Sequence, residues 1–223
     1  MKEHKRIWRA FAVVGALALL ATACAPSAPV GGESPTPGAA ATQASAQIQK
    51  GGRVIEGSFS DIKTMNPMLV ADVPSGTVTG MIYDGLIQAD PKNGEPKPRM
   101  ATFTQSSDGL TYTFEINAKA NWNDGKPVVA EDYVVAKKLV AKSKLTVRKS
   151  LFQDVKGWQD YVDGKATSIT GIAVDSANPK KFTVTLSKVS CDAIFQISSY
   201  VMPNHVFSKY ATDASKDEID KAP

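Results

Sequence analysis

The apolar positions change rhythm along the chain, and each change predicts an element. Residues 10–23 are a nearly unbroken apolar run, and residues 25–50 offer almost no large apolar side chain. Order is expected from Gly51 onward. Residues 53–59 read as a strand, and the polar stretch 60–67 reads as a loop in which Pro67 pushes Asn66 to extended geometry. A short helix is predicted over 78–82, a strand over 86–89 and a turn at 90–94. Residues 102–106 and 110–117 flank Ser107-Asp108-Gly109, where Asp-Gly tolerates the positive φ that tight hairpins need. In the second arm Tyr112, Phe114 and Ile116 alternate with polar neighbours, so one face is buried. After a turn at 123–126, residues 130–145 predict a helix with Glu131 and Asp132 set against its dipole. Strands are expected at 169–174 and 182–186. The sum is a mixed α+β domain rich in antiparallel pairs, without internal repeats.

The first run needs a different explanation. It is about 14 residues long, whereas a helix crossing a bilayer core of ~30 Å needs about 20. With Lys2, Lys5, Arg6 and Arg9 in front of it, the run fits a signal peptide over residues 1–23. It ends in Ala21-Thr22-Ala23-Cys24, which resembles the bacterial lipobox, with Ala21 where leucine is usual. That resemblance implies lipid on Cys24. Pro26, Pro29, Pro35 and Pro37 prevent a regular helix in residues 24–50, which read as a flexible tether between anchor and folded domain.

Composition then narrows the function classes. The formal charge of +4 looks basic, but the first 23 residues hold four basic side chains and one acidic one; without them 22 face 21. Near-neutrality gives no reason to expect nucleic acid as a partner. Of two cysteines, Cys24 is committed to lipid, so Cys191 has no intrachain partner and reads as a small buried apolar residue. His205 is the one histidine beyond the leader, too few for a His-based zinc site, and no metal or cofactor is expected. Lys137, Lys138, Lys142, Lys144, Arg148 and Lys149 read as a solvated basic face.

Several segments, in order, resemble one family. Tyr83-Asp84-Gly85-Leu86, Pro98-Arg99-Met100-Ala101 and Asp108-Gly109-Leu110-Thr111-Tyr112-Thr113-Phe114 are three. Asn121-Trp122-Asn123-Asp124-Gly125-Lys126-Pro127, Ala130-Glu131-Asp132-Tyr133-Val134 and the 182–186 strand with Met202-Pro203-Asn204-His205 complete the set. Together they are similar to the extracellular solute-binding proteins of family 5, which serve peptide, nickel and related ABC importers. Val129 departs from the family's helix-capping Thr, and Asn204 from a common Lys. The resemblance implies that residues 51–223 are the N-terminal lobe of a two-lobed, class II periplasmic-binding-protein-like fold, with the second lobe missing. It implies an exported protein, anchored on the outer face of the cytoplasmic membrane or in the periplasm, that hands a small solute, by default a peptide, to a permease and ATPase complex. By analogy the loop after the first strand lines the cleft, which nominates Ser60, Asp61, Met65 and Asn66, with Tyr83 and Trp122 as aromatic candidates.

Two other classes compete with this reading. An exported surface interaction module would need no solute. An exported hydrolase would need chemistry that the sequence does not advertise, having no Gly-x-Ser-x-Gly and no His-Glu-x-x-His.

Overall fold

A computed structural model describes residues 51–212 and 218–221. The leader, Cys24 and the whole tether lie outside the described residues. The chain divides into two units, Met1–Val54 and Ile55–Pro223, and every helix and strand among the described residues belongs to the second.

That unit opens without the expected strand. Residues 55–59 pair with no strand among the described residues, and Ile55 and Phe59 are exposed. Apolar alternation supplies one face of a strand, but the ladder needs a partner edge as well. Helix α1, Val73–Ile82, starts five residues earlier than periodicity suggested. Asp72 caps it by accepting the Ser75 N–H (3.0 Å), and Pro74 fits its first turn, where no N–H is needed. Strands β1, Ile87–Ala89, and β2, Pro96–Pro98, make a small antiparallel pair around the 90–94 turn.

The main sheet contains β3, Ala101–Gln105, β4, Thr111–Ile116, β5, Ile172–Val174, and β6, Lys181–Thr185. Its order is β3-β4-β6-β5, and every neighbouring pair is antiparallel. The Asp-Gly hairpin is present: Gly109 sits at φ +73° and Asp108 accepts the Leu110 N–H (3.0 Å). The register sets Phe114 opposite Phe182 and Tyr112 opposite Val184, all buried on one face. Against that face lies α2, Ala130–Lys142, whose Tyr133 stacks on Phe182 at 4.5 Å, with Phe114 5.2 Å beyond. Each such ring contributes about 1.5–3 kcal/mol by burial and about 0.5–1.5 kcal/mol per ring pair by geometry.

Short helices α3 (Trp158–Val162), α4 (Ala193–Ile197) and α5 (Asn204–Phe207) close the core with Trp158, Ile197 and Phe207. Strand β5 is shorter than expected because Gly171 precedes it in a crossing too tight for a side chain. A Cβ there would lie 2.6 Å from the Thr185 carbonyl and 2.7 Å from that of Lys156.

Two expectations fail on burial. Cys191 is exposed, since it lies in the surface loop between β6 and α4. The basic run is not one solvated face either: Lys137 is 1% exposed, on the core side of α2.

Candidate functional site

Among the described residues, the larger concavities include two that could each hold part of a solute. The first, about 570 Å³, lies between the end of α1, the start of β3 and the loop after β4. Tyr83, Asp84, Arg99, Lys119, Asn121 and Trp122 are among its lining residues. Its walls are braced from behind. Buried Asp132 accepts four bonds: from the Val129 N–H (2.9 Å), the Trp122 indole N–H (2.9 Å), and the backbone and side-chain N–H of Asn204 (2.7 Å each). The Lys180 ammonium donates to the carbonyls of Asn117, Ala120 and Val128 at 3.0–3.2 Å. Asp84 and Arg99 form an ion pair at the rim. The Tyr83 phenol is pushed above its ordinary pKa by burial.

The second concavity, about 430 Å³, is formed by Val70, Ala71, Asp72, Val73, Val147, Arg148 and Leu151. Two loops meet here. Thr146 Oγ1 donates to the Met68 carbonyl (2.6 Å), and Arg148 Nη2 reaches the Val70 carbonyl (3.3 Å). Upstream, the N–H groups of Lys63 (2.9 Å) and Thr64 (3.3 Å) donate to Ser75 Oγ on α1. The segment holding Met65, the first turn of α1 and the 145–151 loop are thereby tied together. This concavity keeps apolar side chains in water: Val73 is 67% exposed and Val147 66%; nearby in sequence, Phe59, Ile62, Met65 and Leu145 are exposed as well.

The structure therefore divides the six nominated residues. Tyr83 and Trp122 meet in the first concavity, with Trp122 also holding Asp132. Ser60, Asp61 and Met65 are exposed and line neither concavity. Asn66 is 1% exposed and its Oδ1 accepts the Met68 N–H (3.0 Å), so it shapes the turn rather than meeting solvent. Sequence reasoning missed Val73, Val147, Arg148 and Leu151. Their signal was weak, since Arg148 was hidden in the basic run.

Behind Arg148 lies a slot of about 20 Å³, also lined by Lys137, Phe152, Ser199 and Tyr200. The Lys137 ammonium donates to Ser199 Oγ (2.8 Å) and the Tyr200 carbonyl (3.2 Å), and sits over the Tyr133 and Phe152 rings at 4.4 and 4.8 Å. Burial, and then the charge of Arg148, push its pKa down to about 7. Among the described residues, no group of three or more His, Cys, Asp or Glu side chains is placed to hold a metal ion.

Residues 95–223 match the family described as bacterial extracellular solute-binding proteins, family 5 Middle. The periplasmic oligopeptide-binding protein OppA of Salmonella typhimurium is 27% identical over 67% of this chain and 28% of its own length. The oligopeptide-binding protein SarA of Streptococcus gordonii is 30% identical over 57% of this chain and 20% of its own. Among solved structures, the peptide-binding pheromone receptor PrgZ superposes with a TM-score of 0.59 at 26% identity, over 68% of this chain and 31% of that one. The substrate-binding domain of an oligopeptide ABC transporter from Bacillus anthracis gives 0.60 at 23% identity, over 71% and 31%. The chain thus spans between a fifth and a third of the length of these relatives.

Proposed function

This chain belongs to the bacterial extracellular solute-binding proteins of family 5, and from that premise we propose that it supplies one wall of a peptide-binding cleft serving an ABC importer. The wall is the face around the second concavity. The observation that carries it is that exposed Val73 and Val147 line one hollow together with Leu151 and Arg148. Exposed apolar groups collected in one place mark a surface that binds something. Pockets join apolar walls to a few placed polar groups, and Asp72 and Arg148 are those here. Residues 55–62 pair with no strand among the described residues, and backbone of that kind suits an extended peptide better than a compact solute. The first concavity mixes apolar Ile82, Met100, Trp122 and Val201 with the Asp84–Arg99 ion pair and Lys119, and we assign it to bracing.

In this reading residues 1–23 direct export, Cys24 carries lipid and residues 24–50 let the binding domain reach a permease and its ATPase. Calorimetry of the full gene product against peptides of two to nine residues tests the cleft. Val73→Arg and Leu151→Arg should each weaken binding about tenfold or more, a change of roughly 1.4 kcal/mol, while Lys119→Ala leaves it intact. Loss in Lys119→Ala with no loss in Val73→Arg would move the site to the first concavity. No binding of any peptide would end the reading.

A further inference from the structure

Resting on the wall proposed above, we infer that Arg148 anchors a carboxylate of the bound solute on the floor of the second concavity. Arg148 lines both that concavity and the small slot that it shares with buried Lys137 and Phe152, so it stands between solvent and core. Its Nε–H is buried without a hydrogen-bond partner, and its bond from Nη2 to the Val70 carbonyl is long at 3.3 Å. Among the described residues it forms no ion pair.

The charges around it explain what would complete it. Lys137, the other basic group of the slot, spends its hydrogen bonds on a hydroxyl and a carbonyl, so it brings no anion. Asp72, the one acid lining the concavity, has Oδ1 committed to the Ser75 N–H at the start of α1. A corner with two basic side chains and one occupied carboxylate is short of negative charge. A guanidinium presents a planar fork of N–H donors that a carboxylate meets with both oxygens, and a buried donor left without a partner is costly until something accepts from it. Lys137, held partly neutral behind Arg148, limits the repulsion that two full charges would create before a ligand arrives.

The carboxylate can come from a peptide's C-terminus or from an acidic side chain, and the test separates the two. The full gene product is exposed to an equimolar tripeptide library in free-acid form and again as C-terminal amides, and retained members are read by mass spectrometry. Citrate, followed by thermal shift, serves as a carboxylate probe outside the peptide class. Wild type should retain free acids about ten- to a hundredfold better than neutral amides. Arg148→Gln should erase the preference for free acids over neutral amides. Arg148→Lys, which keeps the charge but not the fork, should keep part of the preference and stands in should the Gln variant fail to fold. Retention of Asp- and Glu-containing amides as strongly as free acids would also support the anchor and assign the carboxylate to a side chain. Equal retention of acids and neutral amides, or an undiminished preference in both variants, would overturn the anchor and leave the peptide reading standing. A citrate shift abolished in Arg148→Gln, with no peptide retained, would do the reverse. Silence from both probes would overturn both.

Discussion

Lys137 keeps its amine inside the core, touching two aromatic faces and two neutral acceptors, with Arg148 as its charged neighbour in the slot. Its folded pKa of about 7 lies well below the ordinary 10.5. Between those values the unfolded chain holds a proton that the folded chain lacks, so stability must rise with pH through that window. The cost is complete below about 7. One proton corresponds to a slope of up to about 1.4 kcal/mol per pH unit. Urea unfolding at pH 7, 8 and 9 should show this rise in wild type and lose it in Lys137→Met. The Tyr133 phenol, pushed upward by burial, does not titrate there. An identical slope in both proteins would mean that Lys137 keeps an ordinary pKa when folded. None of this was legible in the sequence, where Lys137 is one of several lysines at helical spacing. A residue's side of a helix is set by the sheet it meets, and composition does not report that.

At the scale of elements, the readable parts were those whose signal is local. The Asp108-Gly109 hairpin, the alternation of Tyr112, Phe114 and Ile116, and the 130-onward helix all appear within a few residues of where pattern put them. The strand over Pro96–Pro98 was missed because prolines argue against a strand, and it exists only as an edge beside β1. Helices α3 and α4, five residues each, are too short to show a period. Helix α2 carries a testable flaw of its own. Val129 is its N-cap, in extended geometry with no side-chain cap bond, although Asp132 Oδ2 accepts the Val129 N–H from below. That is half of a reciprocal cap; the Asp132 N–H turns back to the Val129 carbonyl (3.0 Å), and a hydroxyl at 129 would offer it a side-chain acceptor as well. Val129→Thr should therefore stabilise the protein by about 1 kcal/mol, seen as a melting temperature roughly 2–4 °C higher. An unchanged or lower melting temperature would show that the valine's packing outweighs the missing acceptor.

Across the whole molecule, large apolar side chains such as Val73, Met81, Leu145 and Val147 stay uncovered. The core is well closed around Phe114, Tyr133, Phe182 and Trp158, so a shortage of partners inside the lobe is no explanation. Phe59, Ile62, Met65, Val73, Leu145 and Val147 follow the 59–73 segment and the 145–151 loop, where few backbone N–H groups are tied into ladders, while others such as Met81 and Val189 lie elsewhere. Such segments open at low free-energy cost, and a ligand laid along them should slow their exchange more than that of the sheet. Hydrogen exchange on the full gene product, with and without a bound peptide, should show protection gained across residues 59–73 and 145–151. The β3-β4 hairpin, already bonded on both strands, should change little. Protection confined to residues 117–123 would instead place the solute over Trp122, and the uncovered face would then require a macromolecular partner.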